Sequence, residues 1–117
     1  MPRGARGTVG ERPPASTRAL GGRVVVTLRG EIDIANISPV EHELARLEDV
    51  HVGDVYVDLR AVTFLDVRAV NALERAREHA NRRGTRMRLV CRRPFTLRLL
   101  GMVGGFAIVG ELPRPAD

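Results

Sequence analysis

Apolar and polar positions along this chain follow two rhythms that alternate from one segment to the next. In residues 23–29, Val24, Val25, Val26, Thr27 and Leu28 form one unbroken run rich in β-branched side chains. Such a run predicts a strand buried on both faces or nearly so. Gly21-Gly22 just before it is a turn signal, so the short segment 17–20 is expected to fold back on this strand as a hairpin. The rhythm then changes to helical spacing. Ser38 is the expected N-cap, Pro39 the first helical residue and Glu41 the partner in a capping box. Val40, Leu44 and Leu47 share one face of that helix, which His51-Val52-Gly53 should end.

Alternation returns in residues 54–59, where Val55, Val57 and Leu59 point one way, predicting a strand. A bend at Arg60 and Ala61 leads to residues 62–65, and Asp66 is placed to cap a second helix running to about Arg83. Val70, Leu73, Ala76 and Ala80 form the apolar stripe of that helix, and Gly84 is its expected stop. Residues 86–91 alternate again, with Met87, Leu89 and Cys91 on one side. Pro94 opens a short third helix through Phe95, Leu99 and Leu100, halted by the glycines of 101–105, and residues 106–109 are a last short strand. The order is β-β-α-β-α-β-α-β. It predicts a single α/β domain with a mixed, mostly parallel sheet of four to five strands, an antiparallel edge and three to four helices. Residues 1–15, rich in Gly, Pro and Arg, are expected to be a flexible basic arm, 16–112 the folded domain, and 113–117 a frayed tail.

Composition narrows this picture. At 117 residues the chain has room for one compact domain, and with 44% hydrophobic but 3% aromatic residues its core must be aliphatic. No apolar run approaches the ~20 residues of a membrane span. No apolar stretch follows the basic start either, so a secretory leader is not expected. The single cysteine, Cys91, leaves no partner for an internal disulfide and no cysteine-based zinc cluster. A cytoplasmic location without membrane insertion fits these features. The net charge is +5, and all 19 basic residues are arginine. Acidic residues are interleaved in most segments, which argues against direct nucleic-acid binding.

Candidate chemistry is sparse. His42, His51 and His79 fall on helices or helix ends without metal-ligand spacing, so no metal is expected. The two serines are Ser16, near the arm, and Ser38, already assigned as a cap. There is no nucleophile elbow, phosphate loop or dinucleotide fingerprint, so neither catalysis nor a cofactor is expected. What remains is a pair of loops, Gly30 to Asn36 and Thr63 to Ala69, each following a strand. Loops at the carboxyl ends of parallel strands gather on one rim, the usual binding edge of such sheets. The helix starting near Val67 adds free backbone N–H groups and a positive dipole end.

These loops also carry a resemblance. Arg29-Gly30-Glu31-Ile32-Asp33-Ile34-Ala35 resembles the Gly-Glu-Leu-Asp element of STAS-domain anti-sigma factor antagonists. Asp58-Leu59-Arg60-Ala61-Val62-Thr63-Phe64-Leu65-Asp66 is similar to the strand and loop that lead into their regulatory helix. Arg83-Gly84 and Leu99-Leu100-Gly101-Met102 are similar to elements of their second half. The resemblance runs from Arg23 to Leu112. It implies a STAS-like fold and a non-catalytic module that binds an anti-sigma factor of the serine-kinase type in sigma-factor control.

One departure stands at the centre of the resemblance. In that family the Asp matching Asp66 is typically followed by Ser-Ser-Gly, whose first serine is phosphorylated by the cognate kinase. This chain has Val67, Arg68 and Ala69 there, so Val67 occupies a degenerate phosphoacceptor position without a hydroxyl. Phosphorylation would place about −1.5 to −2 charges at the helix start. Thr63 is nearby but matches an ordinary structural residue of the family. Arg68 sets a cation where the helix dipole disfavours it, which leaves two readings open, a partner's carboxylate or plain solvent. The residues expected to meet the partner are Asp33, Asn36, Asp66, Val67, Arg68 and Asn71. The alternative is a STAS subunit of a membrane transport assembly, of the lipid ABC-transporter type, that stabilises or regulates an ATPase. A homodimer is left open.

Overall fold

A computed structural model describes residues 12–114. Five strands form one sheet in sequence order: β1 (Ala15–Leu20), β2 (Arg23–Ile32), β3 (Asp54–Leu65), β4 (Arg86–Val90) and β5 (Ala107–Val109). β1 runs antiparallel to β2, and the other neighbours are parallel. Helix α1 (Ile37–Ala45) and a 3₁₀ turn (Arg46–Asp49) join β2 to β3. Helix α2 (Val67–Arg82) joins β3 to β4, and α3 (Pro94–Val103) joins β4 to β5. The α/β order, the antiparallel edge and the single sheet are those expected from the sequence. The expected arm lies outside the described residues as far as residue 11, as do residues 115–117 of the tail.

Right-handed crossovers between strands taken in sequence order bring successive helices to the same face of the sheet. The main core agrees. Val26, Leu28, Val57, Leu59, Met87 and Leu89 from the strands meet Ile37, Val40 and Leu44 of α1, Ala69, Ala72 and Leu73 of α2, and Leu100 of α3. The other face keeps a small cluster of Val25, Tyr56 and Val90, with Leu20, Val109 and Leu112 against it. Truncating the fully buried Leu73 to Ala would cost about 2–5 kcal/mol.

The turn between β1 and β2 uses Gly21 and Gly22 at φ 55° and 82°, the left-handed pair that suits a tight hairpin. α2 ends as its sequence predicts, with the N–H of Thr85 donating to the carbonyl of Ala80 (2.9 Å) and that of Gly84 to Asn81 (3.2 Å).

Two local expectations are corrected. α1 begins at Ile37, with Asn36 rather than Ser38 at its N-cap. Ser38 and Pro39 lie exposed in the first turn, where a missing N–H costs nothing. Glu41 closes no capping box and instead meets Arg75 of α2 at 3.2 Å. Residues 54–65 also form one continuous strand rather than two pieces around a bend. The β2–β3 register slips between Thr27 and Arg29 and again between Gly30 and Glu31, and each slip leaves one extra residue on β3. Those bulges absorb the break in alternation at Arg60-Ala61, so that Leu59 and Val62 both reach the core.

Candidate functional site

The carboxyl ends of β2 and β3 lie side by side, with Ile32 opposite Leu65. The chain is stitched there by the N–H of Asp66, which donates to the carbonyl of Ile32 at 3.1 Å. Both loops singled out in the sequence therefore open from one point on the rim.

The first loop is a self-contained knot. The N–H of Asp33 donates to Asn36 Oδ1 (2.8 Å), the N–H of Ala35 to Asp33 Oδ1 (3.0 Å), and Asn36 Nδ2 to the carbonyl of Glu31 (2.6 Å). The N–H of Asn36 also donates to the carbonyl of Asp33 at 3.1 Å. These bonds satisfy the turn from within its own sequence. They leave Ile34 facing outward with 69% of its surface exposed.

The second loop is simpler. Asp66 Oδ1 accepts from the N–H groups of Arg68 (3.0 Å) and Ala69 (3.1 Å), which makes it the N-cap the sequence predicted. Ala69 and Val70 are buried, while Val67 is 69% exposed. Arg68, Asn71 and Arg75 line a shallow cleft of about 280 Å³ together with Glu41 of α1. Phe64, at the end of β3, is also exposed.

The six candidate residues thus lie along one rim, but in two different capacities. Asp33, Asn36 and Asp66 direct polar atoms into the chain's own backbone and shape the loops. Val67, Arg68 and Asn71 stand outward. Two rim residues were not anticipated from the sequence, Ile34 and Phe64, both apolar and both exposed. Ile34 had a signal: it sits two positions beyond the buried Ile32 in an alternating stretch, yet past the end of the strand.

Elsewhere several polar groups are engaged structurally. On the open face of the sheet, Asp58 is nearly buried. Burial pushes its carboxyl upward, but Arg60, bonded to both oxygens at 2.9 and 2.8 Å, outweighs this and holds it below the usual carboxylate range. Arg88 at 3.0 Å is the chief cause of a lowered Asp54, with Arg86 at 2.9 Å assisting. Burial pushes the Cys91 thiol upward, so it is a poor nucleophile. A cavity of about 470 Å³ between α1 and α2 lies towards the opposite end of the sheet, floored by Leu44, Val55, Ala76 and Met87. Among the described residues no group of His, Cys, Asp and Glu could hold a metal ion, and no helix is long and apolar enough to cross a membrane.

Comparison with known proteins gives the same architecture. A family model described as the STAS domain matches residues 15–114. Among solved structures, an anti-sigma factor antagonist from Mycobacterium paratuberculosis superposes with a TM-score of 0.76 at 24% identity, over 84% of this chain and 86% of that one. A variant of RsbS from Moorella thermoacetica gives 0.71 at 20% identity, over 88% and 92%. A sulfate transporter family protein from Wolinella succinogenes gives 0.56 at 22% identity, over 80% of each chain. At these identities the likeness is one of fold. No curated protein matches the sequence.

Proposed function

Because the chain belongs to the STAS-domain family, we propose that it is a non-catalytic interaction module of the anti-sigma factor antagonist type, docking an anti-sigma factor of the serine-kinase class through the rim. The observation that carries this reading is the pair Ile34 and Val67. Both are aliphatic, both are 69% exposed, and each stands on a loop fixed by its own hydrogen bonds. Aliphatic side chains presented on rigid turns lose little entropy on binding, which is the economy of a preformed interface. Arg68, with the cleft it shares with Asn71, adds a cation that can meet a partner's carboxylate.

In this proposal Val67 occupies the phosphoacceptor position of the family and removes the phospho-switch. A phosphate at that position would set negative charge against a partner surface. A valine keeps the rim in its binding-competent state whatever the kinase does. Control then falls to the abundance of the chain or of its partner.

The test is affinity capture of the tagged full chain from the lysate of its own cells, with Ile34→Asp and Arg68→Glu run in parallel and the captured proteins identified by mass spectrometry. Recovery of an anti-sigma kinase that both variants lose is the expected result. Recovery of a transporter ATPase instead would favour the transport-assembly alternative. Equal capture of the kinase by all three forms would remove the rim from the account.

A further inference from the structure

The charge of this chain is unevenly placed in a way that the net value of +5 hides. Between Glu78 and Glu111 there is no acidic residue. Arg86 and Arg88 in that stretch pair with Asp54 and Arg83 bonds the carbonyls of Leu47 and Val50, while Arg92, Arg93 and Arg98 lie further along it. α3 lies inside it. The helix buries Thr96 and Leu100, yet Phe95 is 56% and Met102 77% exposed, with Val103 exposed as well and Leu99 half-buried. At 3.6 residues per turn, positions 95 and 102 share one outward edge, with Val103 nearer the buried side and Leu99 packed against the core. Arg98 flanks that face, and Arg92 and Arg93 precede the helix; all three are exposed. Arg93 Nε donates to the carbonyl of Val62 at 3.1 Å, which ties the start of α3 to β3. The result is a firmly mounted helix with an outward apolar stripe in a basic setting.

We propose that α3 is a docking surface for a membrane whose headgroups are anionic. Charge complementarity selects the occupant. A second copy of the chain meeting the same face about a two-fold axis would set Arg92, Arg93 and Arg98 against their own counterparts. A lipid surface satisfies both features at once, since headgroup phosphates receive the arginines while Phe95, Met102 and Val103 enter the acyl boundary. The ten residues of α3 suit lying in that interface, about 15 Å along it, and not crossing it. This docking is separate from the rim reading, because it uses none of Ile34, Val67 or Arg68.

The experiment is co-sedimentation of the full chain with vesicles of phosphatidylcholine alone and of phosphatidylcholine mixed with phosphatidylglycerol, for wild type, Met102→Glu and the double variant Arg92→Ala/Arg98→Ala. These side chains are exposed, so all three proteins should unfold at the same temperature, checked by thermal melts. The expected result is binding to the mixed vesicles only, abolished by Met102→Glu and weakened about fivefold for each arginine removed. No binding by the wild type, or unchanged binding by Met102→Glu, would overturn the proposal, the latter because it would put the contact elsewhere on the chain. So would a dimer in sedimentation that Met102→Glu converts to monomer, since the stripe would then be covered by a second copy.

Discussion

The two loops of the rim do comparable jobs by opposite means. The loop from Ile32 to Asn36 has no helix of its own to lean on at its start and closes on itself, with Asn36 bonding both Asp33 and Glu31. The loop at Asp66 makes no such knot; its one carboxylate caps α2 and its N–H is tied to β2. One loop is rigid because of internal hydrogen bonds and the other because of the helix it begins. The lesson is that a polar residue can shape a surface without facing outward from it. Asp33, Asn36 and Asp66 set the shape, and Ile34, Val67 and Arg68 are what that shape presents.

Substitutions separate these two capacities, and the largest effect is expected on the presenting side. Ile34→Asp places a carboxylate in an apolar contact and should weaken partner binding by about tenfold or more. Its melting temperature should stay near that of the wild type, because Ile34 packs little. Next comes Asn36→Ala, which removes the bonds to Asp33 and Glu31. It should cost about 1–2 kcal/mol in denaturant unfolding and weaken binding indirectly by releasing Ile34. Asp66→Ala removes the cap of α2 and should cost about 1 kcal/mol, less than Asn36→Ala because the helix itself survives. If Asp66→Ala proved the more damaging, the contrast drawn between the loops would fail. Smallest is Arg68→Glu, expected to raise stability by about 0.5 kcal/mol, as acid replaces base in the first turn of α2. The same change should reduce partner binding, so stability and affinity move in opposite directions, which one series of melts and titrations would show.

What could be read from the sequence differs between the same two regions. Asp66 was legible as a cap, because an aspartate just ahead of an apolar stripe at helical spacing has few other uses. The start of α1 was not. Asn36 and Ser38 are both competent caps within two residues of each other, and what decides between them is the engagement of Asn36 with Asp33 and Glu31 in the preceding turn. β3 was legible as a strand up to Leu59, but its continuity to Leu65 depends on bulges against β2 that no periodicity announces. The antiparallel edge and the helix assignments followed from alternation and turn residues alone. The outward positions of Ile34 and Phe64, and the exposed stripe on α3, did not, since exposure is settled by what fails to pack against a side chain and the sequence records only the side chain.

The central claim is a rim that docks an anti-sigma kinase without a phospho-switch, and Val67→Ser tests it most directly. The wild type and this variant would each be incubated with the captured kinase and Mg-ATP, then re-purified and titrated calorimetrically with fresh kinase. The account predicts that wild-type affinity is unchanged by the treatment. The Val67→Ser protein should gain one phosphate by mass and lose affinity about tenfold or more. A wild-type protein that also gains phosphate and loses affinity would contradict the account, because the switch would then reside on another residue of the rim.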